Sequence, residues 1–469
     1  MSNPEHFLER FFYPESVAIV GASRNPRSVN SFLVAGLLKL GYGGRIYPVN
    51  PAATEIMGLR AYPSVSSIGA RVDLAVISVP ARHTLEVVRD CVAAGVGGVT
   101  IVSGGFSETG GQGQHTQDEI HRRLRQAGIR CIGPNALSPI NSANNFIIGF
   151  GPIPRALPRG GLSLIFQSGL YQPRLDWLLN EHRLNLAKLI DLGNKMDITE
   201  TDALEYLAGD SDTKVIAIHT ESIAGDARHF LALLRQTARR KPVIVLKSGR
   251  TEAGARAAAS HTGAIASSDA VVDAALRQAG VIRASGLDEF FDLAKAFEYQ
   301  PLPRGNRVAI ASFSGGEGVL TTDACEMNGL RLAGLGEESY RRLKQVFPPW
   351  EIPLNPFDTG VTGQMTKDRD VVQHFVETAG QDPAADCLAV QLGAPSQITG
   401  QSGSDDESLV RPYTEAVAAG KTVVCWTVNP LAGRHLVELL ESRRIPVFPS
   451  AERAIRALGR MWEYGQRTK

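Results

Sequence analysis

Short apolar runs rich in Val and Ile alternate with longer amphipathic stretches along the 469-residue chain. The first five runs are SVAIVGAS, RIYPVN, VDLAVISVP, VGGVTIVSGG and IRCIGPN. Apolar strands separated by helices are typical of a parallel sheet that helices cover on both faces. We therefore predict one doubly wound α/β domain over residues 1–150.

The same pattern restarts twice, each time after a stretch rich in Pro and Gly. Residues 151–161 (GPIPRALPRGG) precede the runs LSLIFQSG, LAKLIDLGN, TKVIAIHTES and KPVIVLKSG. Residues 300–306 (QPLPRGN) precede RVAIASFSGG, CLAVQLGA, KTVVCWTVN and IPVFPS. Both stretches have the composition of linkers. We expect two further α/β domains, over residues 151–300 and 301–469, with ligand-binding loops at the carboxyl ends of their strands.

Composition and charge narrow the class of ligand. A formal net charge of +1 and a charged fraction of 21% give no basic surface for nucleic acid or for an anionic membrane. The segment MSNPEHFLERFFYPES lacks the apolar core of a secretory signal, and no stretch reaches the about 18 apolar residues that span a bilayer. The cysteines form no C-x-x-C pair, which argues against a zinc site or a disulfide framework. We expect a cytoplasmic protein that binds small molecules or other proteins and supplies no metal ligands.

The loop after the first strand, GASRNP, suits a phosphate. Gly21 and Ser23 lie at a strand-to-helix turn, where backbone N–H groups meet anions. The full G-x-G-x-x-G fingerprint is absent, and no acidic residue follows about 20 positions later to bind the ribose of NAD. The second strand ends instead in Asn50 and Pro51. These features favour a nucleotide other than NAD, with a purely structural turn as the alternative.

Two further strand ends in this domain carry residues that do not extend a sheet. VISVPA ends its run at Val79 and Pro80, and VSGGF offers Ser103 and Gly104 for close backbone approach. Either segment is also compatible with a plain loop.

A single histidine, His261, interrupts the small residues of KSGRTEAGARAAASHTGAIASSD. Such a segment buries little apolar surface, so we expect a mobile loop flanked by a short helix, with the histidine accessible. By itself His261 is best explained as a surface residue. Glu221 changes that balance, because it follows a strand of the same domain, and a carboxylate that accepts from Nδ1–H leaves Nε2 as a nucleophile. A solvated glutamate is the alternative.

Two segments predict helix N-termini directly after a strand. In LIFQSGL, Ser168 is suited to cap a helix that Gly169 opens, and SFSGGEGV repeats the design at Gly315 and Gly316. Free N–H groups favour an anion at both places. The two N-termini together suit one phosphoryl group.

A longer series of motifs resembles the α subunit of the NDP-forming acyl-CoA synthetases, relatives of succinyl-CoA synthetase. The series is GASRNP, YPVNP, VISVPA, GGFSETG and GPN, followed by QSG, LGNKMDI, TES and KPVIVLKSGRTEAGARAAASHTGA. The likeness covers essentially the whole chain, and KSGRTEAGARAAASHTGA is its most specific part. It implies an α/β fold with a Rossmann-like CoA-binding domain followed by two flavodoxin-like ligase domains with parallel sheets. It also implies an acid–thiol ligase that makes acyl-CoA, nucleoside diphosphate and phosphate through an acyl phosphate and a phosphohistidine.

The resemblance implies roles for individual residues. His261 matches the phosphorylated histidine, and Glu221 matches the glutamate that orients it. Helix N-termini at Ser168 and Gly169, and at Gly315 and Gly316, would stabilise the phosphoryl charge. The positions that match the CoA site are Gly21, Ser23 and Arg24 at the phosphates, Asn50 and Pro51 beside them, and Val79, Pro80, Ser103, Gly104 and Asn135 along the pantetheine.

The resemblance also implies a partner. Members that act as one polypeptide carry an ATP-grasp module, which binds ATP, ADP and Mg²⁺ and phosphorylates the histidine. The three predicted domains leave no room for that module, so we expect a separate ATP-grasp β subunit in a hetero-oligomer that acts on CoA and a small carboxylic acid. The sequence specifies neither the acid nor the choice between ATP and GTP.

Several positions depart from the family pattern. Asn30 replaces a glycine near the CoA phosphates and is expected to narrow or re-aim that contact. In QSGLYQPRLDW, Pro173 lies past the first helical turn, so we expect that helix to begin later or to be distorted. Tyr171 and Gln172 are bulkier than the usual residues there and are expected to shape an acyl pocket.

Two other classes of function share parts of the pattern. A non-catalytic CoA- or acyl-CoA-binding regulatory protein would keep the fold, and the departures near the phosphate site would permit it. An NAD-dependent oxidoreductase is disfavoured, since the ribose-binding acid and a hydride-transfer constellation are both missing.

Overall fold

A computed structural model of the chain describes residues 6–151, 153–167, 169, 171, 174–262, 268–366, 371–393, 406–429 and 433–468, without the side chains of residue 181 and residues 258–262. Contacts divide the chain into two compact units, Met1–Ser285 and Gly286–Lys469. The first unit contains two large sheets, and the second contains one. The division into three domains at residues 150 and 300 stays a prediction.

The first sheet of the first unit contains all five strands predicted for residues 1–150. The strands of this region are β1 (Ser16–Val20), β2 (Arg45–Val49), β3 (Glu55–Ile56), β4 (Leu59–Arg60), β5 (Leu74–Ile77), β6 (Gly98–Ile101) and β7 (Arg130–Ile132). Strands β3 and β4 form a separate hairpin, and the other five are parallel in the order β2-β1-β5-β6-β7. Every residue of β1, β5 and β6 is buried, which is why these runs are apolar throughout. The strand order changes direction at β1 and β5, which opens a crevice at their carboxyl ends.

Helices pack against this sheet. They are α1 (Glu9–Phe12), α2 (Ser31–Leu40), α3 (Ala81–Ala93) and α4 (Gly111–Gln126), with 3₁₀ turns at Ser66–Ile68 and Ser107–Thr109. Apolar residues of α3 and α4, among them Val88 and Ile120, share one core with Ile77 and Ile101 of the strands. This core fixes the strand ends that carry the predicted ligand-binding loops.

The second sheet of the first unit begins before residues 151–161. Its strands are β8 (Ile140–Asn141), β9 (Phe146–Ile147), β10 (Arg159–Phe166), β11 (Leu186–Asp191), β12 (Val215–Thr220), β13 (Val243–Lys247) and β14 (Ile282–Arg283). The order is β14-β13-β12-β10-β11-β8-β9, with the hairpin of β8 and β9 antiparallel to β11 and the remaining pairs parallel. Taken in chain order, the parallel strands have the 2-1-3-4-5 arrangement of flavodoxin-like sheets.

The helices of this region begin with an irregular one. A π-helical turn spans Trp177–Glu181, and the regular helices are α5 (Glu200–Gly209), α6 (Ala227–Ala238), α7 (Glu252–Thr262) and α8 (Asp269–Gln278). Gly169 and Tyr171 are not helical, and helical residues follow from Arg174 onward. The helix after β10 therefore begins later, as the proline predicted, and the prediction that Gly169 opens it is wrong.

The second unit contains a third sheet of the same type. Its strands are β15 (Arg307–Ser312), β16 (Arg331–Leu332), β17 (Phe357–Asp358), β18 (Cys387–Gln391), β19 (Thr422–Trp426) and β20 (Val447–Phe448). The order β16-β15-β18-β19-β20, with β17 beside β15, is again 2-1-3-4-5. Its helices are α9 (Leu287–Tyr299), α10 (Gly315–Met327), α11 (Glu337–Leu343), α12 (Thr359–Thr366), α13 (Val371–Gln381), α14 (Asp406–Ala418), α15 (Arg434–Ser442) and α16 (Ala451–Thr468), with a 3₁₀ turn at Lys344–Val346. The three sheets confirm the predicted fold class.

Two further features concern the cysteines and the apolar character of the helices. All five cysteines are buried free thiols. Within the described ranges, no helix has the length and apolar character needed to cross a membrane.

The carboxyl ends of the two sheets of the first unit meet. The turn after β11 runs beside the loop after β7, with Asn194 N–H donating to Pro134 O over 2.9 Å and Met196 N–H to Gly133 O over 3.1 Å. Gly193 permits this approach, because its φ is +54° and a Cβ there would lie 2.2 Å from Pro134 O. The ligand-binding edges of both sheets therefore border one region.

Candidate functional site

The turn after β1 is held by a glycine and an asparagine. Gly21 has a φ of +89°, and a Cβ at this position would lie 2.3 Å from Ser78 O. Asn30 Nδ2 donates to Gly21 O over 2.9 Å and to Ser78 O over 2.8 Å, and Asn30 Oδ1 accepts from Ser78 Oγ over 2.9 Å. The side-chain amide of Asn30 therefore stabilises the turn through these hydrogen bonds. The sequence pattern predicts instead that Asn30 narrows or re-aims the phosphate contact.

Other residues matched to CoA lie at neighbouring strand ends and are joined by hydrogen bonds. Asn50 Nδ2 donates to Ala22 O over 2.8 Å, and Asn135 N–H donates to Ser103 O over 3.0 Å. Ser103 Oγ donates to Val79 O. These contacts make a continuous line along one edge of the first sheet, from the loop after β2 to the loop after β7.

Several residues along this line of strand ends are exposed to solvent. Among the positions matched to CoA, five are exposed: Arg24, Pro51, Pro80, Gly104 and Asn135. Ser23 is half-buried, and its Oγ accepts from Asn25 N–H over 3.1 Å. An exposed guanidinium beside a glycine turn, followed by exposed backbone and an amide, fits an extended ligand with phosphates at one end.

Glu221 lies directly after β12, as predicted, and a buried glutamine fixes its backbone. Gln167 Oε1 accepts from Glu221 N–H over 2.9 Å, from Ser222 N–H over 3.0 Å and from Thr220 Oγ1 over 3.0 Å. Gln167 follows β10 and is 8% exposed. The strand end that carries Glu221 is therefore tied to the neighbouring strand by one side chain.

A buried lysine adds positive charge beside this strand end. Lys195 Nζ donates to Ser222 O over 2.6 Å and to Gln167 Oε1 over 3.0 Å, and it pairs with Glu200 Oε2 at 3.3 Å. Burial lowers the pKa of Lys195 below its ordinary value, although Glu200 opposes that effect. Lys195 belongs to the turn after β11 that meets the first sheet.

Two more titratable side chains are buried where β12 and β13 end. Lys247, the last residue of β13, is 8% exposed, and its Nζ donates to Ser248 O over 2.5 Å. Burial lowers the pKa of this ammonium as well. His219 lies 2.8 Å from Tyr171 Oη through Nδ1 and 2.6 Å from Ser248 Oγ through Nε2. Burial, assisted by the Lys247 charge, lowers the pKa of His219 to about 4, so its ring is neutral near pH 7.

The predicted acyl-pocket role of Tyr171 is wrong. Its ring stacks on Phe166 with centroids 3.5 Å apart and planes 8° apart, and the side chain is 3% exposed. Together with the hydrogen bond to His219, this packing places Tyr171 in the core. Gln172 lies outside the described residues.

His261 lies in the last turn of α7, and its side chain is outside the described part of the structure. The segment predicted as a mobile loop flanked by a short helix is helical over Glu252–Thr262, because Ala is the strongest helix former and the segment is rich in it. Residues 263–267 of the segment lie outside the described part of the structure. Thr251 Oγ1 accepts from Gly254 N–H over 3.0 Å where the helix begins. Helix α7 also contacts the turn Ser107–Thr109 of the first sheet. The helix that carries His261 thus lies beside the edge matched to CoA.

The second pair of helix-opening residues is found where it was predicted. Gly315 and Gly316 are the first two residues of α10, and both are exposed. Ser314 Oγ accepts from Glu317 N–H over 3.3 Å as the N-cap. At the other place Gly169 is exposed in a turn, and Ser168 lies outside the described residues.

A cavity of about 910 Å³ opens between the strand ends of the two sheets of the first unit. Its polar lining includes Glu108, Asn135, Gln167, Lys195, Thr220 and Lys247. Asn194 Nδ2 donates to Glu108 Oε2 over 2.6 Å across the junction. The cavity therefore joins Asn135, at one end of the line matched to CoA, to the strand end that carries Glu221.

Three of these residues were not singled out by the sequence patterns. Gln167, Lys195 and Lys247 each lie at or just beyond the carboxyl end of a predicted strand, where open α/β sheets bind ligands. Lys247 could have been found from the sequence, because it is a cation at the end of the apolar run VIVLK. A buried lysine is rare unless it has a partner, so a lysine in this position indicates a bound group. Gln167 and Lys195 show no comparable pattern in the sequence.

Comparison with known proteins gives the family. A model described as CoA binding domain matches residues 15–140, and one described as succinyl-CoA ligase like flavodoxin domain matches residues 159–297. Acetate–CoA ligase (ADP-forming) II subunit alpha of Pyrococcus furiosus is 35% identical over 448 residues, which are 95% of this chain and 95% of that subunit. Acetate–CoA ligase (ADP-forming) II of Archaeoglobus fulgidus is also 35% identical, over 98% of this chain but 67% of its own length.

A solved structure agrees with the sequence matches. Acetyl-coenzyme A synthetase 1 of Ca. Korarchaeum cryptofilum, in complex with phosphate and ADP, superposes with a TM-score of 0.88 at 34% identity. The match covers 98% of this chain and 97% of that one. The chain therefore belongs to the family of NDP-forming acyl-CoA synthetases, in which it corresponds to the α subunit.

Proposed function

We propose that the chain is the α subunit of an enzyme that converts a carboxylic acid, CoA and a nucleoside triphosphate to acyl-CoA, nucleoside diphosphate and phosphate. One observation carries this proposal beyond family membership. A single cavity connects Asn135, at the thiol end of the expected CoA path, with the strand end that carries Glu221. This shared cavity supports a reaction in which the CoA thiol and the phosphoryl group meet in one space.

CoA would lie along the edge of the first sheet. Its phosphates would meet the turn of Gly21 and Ser23 and the guanidinium of Arg24, with Asn50 and Pro51 beside them. Its pantetheine arm would pass Val79, Pro80, Ser103 and Gly104 and bring the thiol to Asn135. The hydrogen-bonded line of strand ends supports this path.

The phosphoryl group would travel through His261. Nε2 attacks the γ-phosphorus of the triphosphate and the diphosphate leaves, while Glu221 accepts the hydrogen bond from Nδ1–H. A carboxylate oxygen of the acid then attacks this phosphorus, which releases the imidazole and gives an acyl phosphate. The CoA sulfur attacks the acyl carbon, and phosphate leaves with the thiol proton. Backbone N–H groups at Ser168 and Gly169 would bind the phosphoryl oxygens. In the second unit, the N-terminus of α10 at Gly315 and Gly316 offers further N–H donors for a phosphoryl group.

The triphosphate and its Mg²⁺ would be held by an ATP-grasp β subunit in a hetero-oligomer. One fact supports a partner: the Pyrococcus relative is named as a subunit. We expect the purified chain to show no turnover with ATP, Mg²⁺, CoA and acids until an ATP-grasp protein is added. Turnover by the chain alone would refute the partner requirement.

Phosphorylation of His261 is tested by labelling. With the partner and γ-³²P-ATP, the native chain should gain an acid-labile, base-stable label, and His261→Ala should lose both label and turnover. Glu221→Gln should slow labelling about 10- to 100-fold, because the imidazole loses its anionic hydrogen-bond acceptor.

The matched control is His229→Ala, which removes an exposed histidine of α6 in the same unit. This variant should label and turn over like the native chain. Unchanged turnover in His261→Ala would instead favour the CoA-binding regulatory protein.

A further inference from the structure

The cavity has an apolar end that the reaction steps above do not use. This end lies between α6, α8 and the strands β12 and β13, and it is lined by Ile218, Phe230, Leu231, Leu234, Val272 and Leu276. Protein interiors are normally close-packed, so a gap of this size beside buried apolar side chains is typical of a ligand site. Val271 at its rim is 67% exposed, an unusual fraction for a valine on the cavity side of a helix.

Lys247 lies where the polar and apolar parts of the cavity meet. It is paired in register with Thr220, the residue before Glu221. An ammonium has three N–H donors, and among the described residues Lys247 donates one hydrogen bond, to Ser248 O. Lys195, in contrast, contacts Ser222, Gln167 and Glu200. Among the described residues, Lys247 is therefore a buried lysine of the cavity with donors left for an anion.

We propose that this cavity binds the acid substrate, with the carboxylate on Lys247 Nζ and an apolar body larger than the methyl group of acetate between α6 and α8. The substrate class is an aliphatic or aryl monocarboxylic acid. This inference rests on the proposed function, since it assigns the acid of that reaction. A carboxylate on Lys247 lies beside the strand end of Glu221, where the phosphoryl group is expected, while Asn135 borders the same cavity on the CoA side.

The apolar end is tested by binding, which needs no partner and no turnover. Titration calorimetry on the full chain with CoA, acetyl-CoA and hexanoyl-CoA measures what the longer acyl group adds. Each buried methylene strengthens binding about fourfold, so hexanoyl-CoA should bind at least about tenfold tighter than acetyl-CoA. Leu231→Trp should fill the apolar end of the cavity from α6 and abolish this preference. Val272→Phe should do the same from α8.

The matched control is Leu233→Trp, the same change on the same helix at a residue that does not line the cavity. It should keep the tenfold preference. Equal affinities of the native chain for acetyl-CoA and hexanoyl-CoA would overturn the proposal. So would a Leu231→Trp variant that weakens CoA as much as hexanoyl-CoA, because the pantetheine arm would then fill the space. Loss of His261 labelling leaves these measurements readable, so the two proposals fail separately.

The carboxylate site is tested in the assembled enzyme. Lys247→Met should raise the KM for hexanoate at least about tenfold and leave the KM for CoA unchanged, because only the acid contacts the ammonium. Lys247→Arg keeps the charge and should recover part of the loss. An unchanged KM for hexanoate in Lys247→Met would overturn the placement of the carboxylate.

Discussion

Asn30 lies directly before α2, and its side chain makes three hydrogen bonds. It donates twice, to Gly21 O and Ser78 O, and accepts once, from Ser78 Oγ. The two carbonyls belong to the ends of β1 and β5, which border the crevice of the first sheet. One side chain therefore fixes the spacing of the two strand ends expected to hold the CoA phosphates.

Asn30→Asp should weaken CoA binding. The carboxylate would face two carbonyl oxygens that lose their donor, and leaving such groups unpaired costs about 1–3 kcal/mol each. We expect the Kd for CoA, measured by titration calorimetry, to rise at least about tenfold. Asn25→Asp is the matched control, because Asn25 Oδ1 only accepts a hydrogen bond, from Arg27 N–H, and aspartate preserves that contact. Equal Kd values for the two variants would contradict the bracing role.

His219 should make the first unit less stable in acid. Its pKa is lowered to about 4 in the folded chain by burial and by Lys247, whereas an unfolded histidine titrates near 6.5. Below about pH 6.5 the unfolded state therefore binds a proton that the folded state does not, and stability falls until about pH 4. Between pH 7.5 and 5.0 this contributes a loss of about 2 kcal/mol. This loss in the free energy of unfolding is measured by urea denaturation at the two pH values, with hydrogen exchange of the β12 amides as the readout.

The matched variant for this effect is His219→Gln. Its neutral amide retains hydrogen-bonding groups for Tyr171 and Ser248 but does not titrate. Asp191 acts in the opposite direction in both proteins, because burial raises its pKa to about 6. The loss of stability between pH 7.5 and 5.0 should therefore be about 2 kcal/mol smaller in the variant than in the native chain, and equal losses would show that His219 is not the cause.

At the scale of elements, the amino-acid composition of α7 is compatible with two predictions, a mobile loop and a helix. The small residues of GARAAAS bury little surface, which favours a mobile loop, but their helix propensity favours a helix. The structure has the helix, with none of the described side chains of α7 buried. Helix α6, in contrast, buries Phe230, Leu234, Thr237 and Ala238. Helix propensity thus explains why α7 forms. Because none of its described side chains is buried, we expect α7 to open easily.

Hydrogen exchange should separate the two helices. We expect amides of α7 to exchange at least about tenfold faster than those of α6, because none of the side chains described for α7, those of residues 252–257, is buried. Both helices are read in one sample by mass spectrometry, so α6 is the internal control. Equal protection of α7 and α6 would mean that contacts outside the described side chains hold α7 in place.

Strand length decided which elements the pattern could predict. All the predicted apolar runs became strands, from SVAIV at β1 to IPVF at β20. The two-residue strands β3, β4, β8, β9, β14, β16 and β17 were not predicted, because two residues show no periodicity; β20 is equally short but lies in the apolar run IPVF. The hairpin of β8 and β9 extends the second sheet across the predicted boundary at residue 150, by pairing with β11.

At the scale of the whole molecule, the candidate site forms where two sheets touch. Asp191 accepts hydrogen bonds from Leu137 N–H over 2.9 Å and from Gly193 N–H over 3.2 Å, which ties the loop after β7 to the turn after β11. The cavity is bordered by residues from both sheets, such as Asn135 and Lys247, that are far apart in the chain. No local pattern contains that information.

The sequence by itself determined the α/β class, the main strands, the turn of Gly21 and the position of Glu221 after its strand. Each of these follows from local periodicity or from the conformational limits of one residue. Its motifs also carried the family resemblance that the comparisons confirmed. Only the tertiary structure decided that Asn30 braces a turn, that Tyr171 lies in the core and that Gln167, Lys195 and Lys247 line one cavity. Those facts depend on contacts between distant segments, whose geometry is fixed when the two sheets pack together.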